Sequence, residues 1–169
     1  MTDVDPGVAI MARATAAEFR RRLADEYVPR IRQCVARLDE ADLWRRPAPN
    51  CNSVGNLLLH LAGNTRQWIH ATFGAQTDDR DRDAEFAADT GATGTELVDR
   101  LAQVVEDACT IVEQLPAAEW LRERVVQQQF EETGLSAILH VLEHFSGHAG
   151  QIYAWTKQVT GEDLKFYDL

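Results

Sequence analysis

Cysteine is scarce in this sequence, and its three cysteines, Cys34, Cys51 and Cys109, include no closely spaced pair. An odd number of widely spaced cysteines argues against a disulfide framework or a zinc knuckle, and it favours a reducing compartment. Apolar runs are too short to span a membrane, and the N-terminal region lacks the charge order of a secretory signal. We therefore expect a cytoplasmic protein that is neither exported nor embedded in a membrane.

Basic residues are also few compared with acidic ones. The 169 residues carry 17 Lys and Arg against 27 Asp and Glu, which gives a formal net charge of −10. A field of this sign repels phosphates, so we expect no nucleic acid and no anionic membrane among the partners. The length and the hydrophobic content of 45% describe one globular domain that is large enough to fold around its own core.

Strand patterns are nearly absent, whereas four stretches have the apolar spacing of amphipathic helices. A capping box at Thr15 and Glu18 marks the start of the first helix, and Pro29 should kink it. The four predicted helices cover residues 15–38, 53–73, 93–115 and 135–160. They predict an all-α fold, a four-helix bundle that forms a single domain over residues 15–169 after an N-terminal arm of residues 1–14.

The connections between these helices carry weaker signals. Residues 75–92 are rich in Asp, Ala, Gly and Thr and have no clear periodicity, so we expect a long loop that could act as a mobile lid. Residues 125–132 alternate poorly and are predicted to form a short extended connection.

The last helix carries His140, His144 and His148 at successive i, i+4 positions, which places them along one face. Relative to the centre of the apolar stripe, His148 lies about 50° away, His144 about 90° and His140 about 130°. His144 and His148 are therefore predicted to face the inner edge of the bundle, and His140 to lie further out.

The second helix carries His60 in a polar strip with Asn56, Asn64 and Gln67, about 105° from the centre of its apolar stripe. Polar groups beside a core need hydrogen-bond partners or a metal. The same rotation of about 100° per residue places His70 on the side of the second helix away from the core, so we expect it to be exposed to solvent.

If the second and fourth helices are neighbours, His60, His144 and His148 form a three-histidine site with an open coordination position, which is the catalytic pattern for a metal. Partly buried histidines that are hydrogen-bonded to Asn and Gln are the competing interpretation, and spacing alone does not decide against them. The stretch from His140 to His144 also matches H-x-x-E-H, the inverted zinc-peptidase signature. Because Glu143 projects about 170° from the apolar centre, we interpret it as a surface charge.

Residues 52–64, 144–152 and 161–167 together resemble the DinB-like (YfiT-type) superfamily, and in particular a branch without an assigned function. The most specific part of the resemblance is a histidine on the second helix combined with H-x-x-x-H-x-G-Q on the fourth. It implies a four-helix bundle, often dimeric, in which His60, His144 and His148 bind a divalent ion such as zinc or nickel. Ala149 stands where many members carry Arg, so any anion-binding role of that Arg is absent.

The resemblance also implies chemistry, since characterised relatives include transferases and isomerases that use low-molecular-weight thiols. We therefore expect a divalent-metal-dependent enzyme, a thiol S-transferase or a hydrolase acting on a small molecule. No carboxylate falls on the inner strips of the second and fourth helices, which leaves the general base unidentified and favours thiol chemistry. Four residues are expected to surround the metal ligands or the substrate: Asn64, Gln67, Gln151 and His140. The alternative is a noncatalytic dimeric bundle whose histidines form a structural metal clip or a small-molecule site.

Overall fold

The computed structural model describes residues 5–166, in which four long helical rods are joined by short elements. The first rod consists of α1 (Pro6–Arg20), a first π-helical segment (Arg21–Tyr27) and α2 (Val28–Val35). The rod begins at Pro6 because the Asp5 carboxylate accepts a hydrogen bond of 2.7 Å from the backbone N–H of Gly7. Asp followed by Pro is a helix-start signal that is present in the sequence at this point.

The expected start of the first helix at Thr15 is therefore wrong, and the boundary drawn after residue 14 falls inside α1. Met1 to Val4 of the predicted arm, and Tyr167 at the end of the resemblance, lie outside the described residues. The rod continues through Pro29, where the backbone has no N–H to donate. Its irregularity lies just before Pro29, in the π-helical segment, where hydrogen bonds reach back five residues instead of four.

The second rod consists of α4 (Val54–Thr65) and a second π-helical segment (Arg66–Ala71), preceded by the short α3 (Glu40–Trp44). Ser53 caps α4, since its hydroxyl accepts a hydrogen bond of 3.1 Å from the backbone N–H of Asn56. The Asn56 side-chain oxygen in turn accepts from the Ser53 backbone N–H at 3.1 Å, which completes a capping box. The predicted start of this helix is confirmed.

Residues 75–92 are not an uninterrupted loop, because they contain α5 (Arg82–Ala87). Asp81 caps this helix, and its carboxylate accepts a hydrogen bond of 2.9 Å from the backbone N–H of Ala84. The expectation of a structureless loop is thus wrong for this turn and a half of helix.

The third rod is α6 (Gly94–Gln114), which starts at the predicted capping box of Thr93 and Glu96. After α7 (Ala117–Trp120), the strands β1 (Glu123–Val126) and β2 (Phe130–Thr133) pair antiparallel, with Glu123 opposite Thr133. This hairpin is the predicted extended connection. The fourth rod, α8 (Gly134–Thr160), ends at Gly161, whose left-handed φ of 68° is the conformation that glycine adopts without strain.

The first and second rods each pack against both α6 and α8. Their buried faces share one apolar core, in which each fully buried large side chain contributes about 1.5–3 kcal/mol. The largest of these side chains include Phe19, Leu23, Ile31, Leu61, Ile138 and Phe145. The fold is therefore predominantly helical, with one small hairpin. Between residues 5 and 166, none of the helices has the combined length and apolar character of a membrane span.

His70 lies in the second π-helical segment and is buried, with 3% of its surface exposed. Its Nε2 donates a hydrogen bond of 3.0 Å to the backbone carbonyl of Val104 in α6. The expectation of an exposed His70 is wrong because a π-helical turn holds more residues than the 3.6 on which the rotation arithmetic depends.

Candidate metal centre

Three histidines from two neighbouring rods meet at one point. His60 comes from α4, and His144 and His148 lie one turn apart on α8. One ring nitrogen of each lies within 4.8 Å of the other two, and the Nε2 atoms of His60 and His144 are 3.0 Å apart. The His148 ring stands edge-on to the other two rings, with centroid distances of 5.0 and 4.5 Å.

Hydrogen bonds at the far edges of two rings assign their tautomers. The Nδ1 of His60 lies 2.9 Å from Glu85 Oε2, and the Nδ1 of His148 lies 2.8 Å from Gln151 Oε1. Glu85 and Gln151 are acceptors, so a proton on each Nδ1 makes both contacts favourable and leaves the lone pair on Nε2. Arg80 Nη2 also lies 3.0 Å from His60 Nδ1 and donates to Glu85 Oε2. The Nδ1 of His144 is buried without a hydrogen-bond partner among residues 5–166.

The environment favours the neutral form of the two cluster histidines on α8. Burial, with a smaller effect of the neighbouring histidines His148 and His60, lowers the pKa of His144 to about 3. Burial also lowers the pKa of His148, against the opposing effect of its hydrogen bond to Gln151. Neutral imidazole is the form that binds metals, and three such nitrogens suit zinc, nickel, copper or iron. The residues present therefore fit a divalent transition-metal ion.

The other expected site residues lie at different distances from this cluster. The His140 ring stacks on the Trp68 indole with centroids 3.7 Å apart, and Asn64 Nδ2 lies 3.4 Å from His140 Nε2. Burial lowers the pKa of His140. Gln67 accepts a hydrogen bond of 2.9 Å from Arg80. Of the four residues expected around the histidines, Gln151 and His140 contact members of the cluster, Gln151 at His148 and His140 by stacking on the His144 ring at a centroid distance of 5.6 Å. Asn64 contacts His140, and Gln67 contacts Arg80.

Residues 78–88, which we name the covering segment, lie over the His60 side of the cluster. The ring of Phe86 packs against that of His60 at a centroid distance of 4.6 Å. Asn56 fastens the segment to α4, since its Nδ2 donates to the backbone carbonyls of Glu85 and Ala88 at 2.9 and 2.6 Å. The segment is thus attached at the start of α4 as well as at the cluster.

Glu85 and Arg80 of the covering segment form a two-point ion pair. Arg80 Nε donates to Glu85 Oε1 at 2.7 Å, and Arg80 Nη2 donates to Glu85 Oε2 at 2.8 Å. Burial pushes the pKa of Glu85 upward, but the hydrogen bonds from Arg80 and His60 outweigh it and hold that pKa below its usual value. Neither residue is among the site residues predicted from the sequence, because both lie outside the second and fourth helices, where the polar strips were found. The available signal was the helix cap at Asp81, which predicts structure in this segment.

The cluster opens to solvent along α8, where a depression of about 410 Å³ is lined by all three α8 histidines together with Glu143, Gly147 and Gln151. Glu143 is exposed at this rim, as expected of a surface charge. Gln151 also lines a neighbouring cavity of about 350 Å³, whose walls include Asn52, Cys51 and Trp155. A small molecule therefore has a route to the histidines from this side.

Fold and site together define a predominantly helical protein with a candidate metal centre made of three histidines. The chain belongs to the mycothiol-S-transferase family, a DinB/YfiT-like family, whose sequence model matches residues 21–161. The resemblance read from the sequence is thereby confirmed.

Comparison of structures supports the fold. The crystal structure of a conserved protein from Enterococcus faecalis superposes with a TM-score of 0.68 and 19% sequence identity, over 88% of this chain and 97% of that one. At this identity the likeness shows the fold alone. No curated protein matches the chain significantly.

Proposed function

We propose that the protein is a metal-dependent thiol S-transferase that acts on a small molecule, with His60, His144 and His148 as the ligands of a divalent ion such as zinc or nickel. The convergence of their ring nitrogens within 4.8 Å carries this proposal. Membership of a family named for mycothiol S-transfer supports a thiol as the second substrate.

When bound by three neutral imidazoles, a divalent ion keeps its full charge and favours the thiolate form of a thiol at neutral pH. The residues of the chain would supply the geometry. Glu85 and Gln151 fix the rings of His60 and His148 through their Nδ1 atoms. The depression along α8 leaves one side of the cluster open to a thiol and to its electrophilic partner.

The carboxylates around the cluster favour transfer over hydrolysis. Among residues 5–166, Glu85 is the carboxylate in hydrogen-bond contact with a cluster histidine, and both its oxygens are engaged by Arg80. Glu85 contacts the Nδ1 edge of His60, which is the edge away from His144. Glu143 lies exposed at the rim of the depression and makes no hydrogen bond to the three histidines within that range. Water bound at a divalent ion still has a pKa near about 7, whereas a coordinated thiol is deprotonated outright, so thiol transfer depends less on a general base than hydrolysis does.

We extend the proposal to the assembly. The packing of the four rods supports a DinB-like four-helix bundle, and the family resemblance suggests a homodimer that works in the cytoplasm on small molecules. Size-exclusion chromatography with light scattering tests the dimer, because a mass near 19.0 kDa would contradict it.

The test of the activity begins with protein purified without chelators and loaded with zinc or nickel. Mycothiol and a chromogenic electrophile are added, and loss of free thiol and formation of the thioether are followed. We expect turnover by the loaded protein and none by the His144→Ala variant. Cysteine and glutathione serve as alternative thiols.

Two outcomes would contradict the proposal. A protein that binds neither ion is not a metal-dependent enzyme. A protein that binds metal tightly but consumes none of the three thiols with any electrophile tried is better described by the alternative, a bundle with a structural metal clip.

A further inference from the structure

We infer that Glu85, held in place by Arg80, is a positioning residue that fixes the tautomer and orientation of His60 for metal binding. The inference rests on the proposed function, because it assigns Glu85 a role toward the same metal. Glu85, in the covering segment, contacts Nδ1 of His60 on α4. This edge of the ring is opposite the Nε2 edge that faces the cluster.

The contact decides which nitrogen of His60 is available. A carboxylate at Nδ1 accepts the ring proton there and leaves the Nε2 lone pair free, and such a partner also stops the ring from turning. His60 Nε2 is the atom that lies 3.0 Å from His144 Nε2. Without an acceptor at Nδ1, the proton could move to Nε2 and block it as a ligand.

Arg80 offers a competing arrangement that the geometry disfavours. The Nη2 of Arg80 lies 3.0 Å from His60 Nδ1, so Arg80 could donate a hydrogen bond to an unprotonated Nδ1. Glu85 Oε2 would then face the Nδ1 lone pair at 2.9 Å, and two acceptors in contact repel each other. With the proton on Nδ1, Glu85 accepts from both His60 and Arg80, and the contact is favourable.

Arg80 also makes the buried carboxylate tolerable. The side chains of Glu85 and Arg80 are only 10% and 7% exposed. An unpaired carboxylate in such a place would be strongly destabilised, whereas the two-point pair with a guanidinium satisfies both oxygens. Gln67 in turn holds Arg80 in place, because its Oε1 accepts a hydrogen bond from Arg80 Nη1. The four residues from Gln67 through Arg80 and Glu85 to His60 thus form one connected network.

Gly63 of α4 leaves the space that this network occupies. A Cβ at this position would lie 1.9 Å from Glu85 Oε1 and 2.9 Å from Arg80 Nε. Glycine in a helix interior is less stable than alanine, and this glycine has a specific steric reason to be there. Substitution of Gly63 therefore displaces the ion pair without changing any histidine.

The experiment measures the tautomer and the metal affinity separately. In metal-free protein, nitrogen NMR of the histidine rings reports which nitrogen of His60 carries the proton. We expect Nδ1–H in the wild-type protein and in Glu85→Gln, whose amide oxygen can still accept. Glu85→Ala should lose this preference. Zinc affinity, from competition with a chromophoric chelator, should fall about 10–100-fold in Glu85→Ala and less in Glu85→Gln.

A matched pair of glycine variants guards against a general loss of structure. Gly63→Ala should lower zinc affinity by a factor similar to that of Glu85→Ala. Gly150→Ala, on α8 near the cluster, has open space around its Cβ and should bind zinc like the wild-type protein. Circular dichroism should show unchanged helix content in both variants, because alanine favours helix.

The inference is overturned if Glu85→Ala and Gly63→Ala bind zinc as tightly as the wild-type protein, or if His60 keeps Nδ1–H in Glu85→Ala. Failure of the proposed function looks different, because the wild-type protein itself would then bind neither zinc nor nickel. That result would overturn the role of Glu85 toward a metal as well.

Discussion

The Nε2 atoms of His60 and His144 lie 3.0 Å apart, although 84 positions of sequence separate the two residues. Two imidazole nitrogens at this distance either share a proton or bind a common cation, since two lone pairs in contact repel. His60 belongs to α4 and His144 to α8, so the pair joins two rods that are distant along the chain. Any ion bound there would hold the two rods together.

The proposed ligand set predicts different effects for neighbouring histidines of α8. His144→Ala and His148→Ala should each reduce zinc affinity by more than the roughly 10–100-fold loss typical of residues that only support a ligand. His140→Ala should lose much less zinc affinity, because its ring lies between Trp68 and His144 and its nitrogens are not among those that converge. Competition with a chromophoric chelator measures all three, and equal losses would show that the ligand set is wrong.

The three cysteines should differ in reactivity. Burial raises the pKa of Cys109 to about 12 and also raises that of Cys34, so neither forms the thiolate that reacts. Cys51 is only half-buried and lines the cavity beside Gln151. Ellman's reagent should therefore modify one thiol in the native protein and all three in denaturant. Mass spectrometry identifies the site, and rapid labelling of Cys109 in the native protein would contradict the packing.

Acid should destabilise the metal-free protein partly through His144. Burial holds its pKa at about 3 in the folded chain, against 6.5 for an ordinary histidine. Between these values the unfolded chain binds a proton at His144 and the folded chain does not, so the free energy of unfolding decreases as the pH falls. His148, whose pKa burial also lowers, acts in the same direction.

Urea denaturation in the presence of a chelator, at several pH values from about 7 down to about 4, measures this dependence. The variant His144→Gln keeps a polar side chain but cannot titrate, so its unfolding free energy should change less over this range. Identical slopes for the variant and the wild-type protein would contradict the assigned environment of His144.

His70 should matter for stability and not for metal. The side chain is buried against α6 and bonded to the Val104 carbonyl, so His70→Ala leaves a cavity and removes a hydrogen bond. We expect the free energy of unfolding to fall by roughly 2–4 kcal/mol, measured by urea denaturation, with zinc affinity unchanged. A loss of zinc affinity at constant stability would indicate that His70 takes part in the site.

The histidine cluster illustrates how far a regular helix can be predicted. The rotation arithmetic placed His144 and His148 toward the inner edge and His140 further out, and the structure has His140 on Trp68 and the other two beside His60. This worked because α4 and α8 are regular α-helix over these positions. That the three histidines bind a metal stays a prediction, since convergence of side chains does not by itself show an ion.

The same arithmetic failed at His70 because the rod changes to π-helix at Arg66, and the sequence carries no periodic sign of that change. Glu85 was missed for another reason. Its place beside His60 depends on long-range contacts of the covering segment, including the space left by Gly63. Local patterns describe what a segment can form by itself, whereas such contacts depend on how distant segments meet.

The side chain of Asn56 stabilises two structures at once, the start of α4 and the covering segment. One end of its side chain completes the cap of α4, and the other end holds the carbonyls of Glu85 and Ala88. Loss of this single amide would fray the helix start and release the overlying residues in the same event. The start of α4 and the covering segment should therefore fold and unfold as one cooperative unit. Their backbone amides should lose protection against hydrogen exchange together.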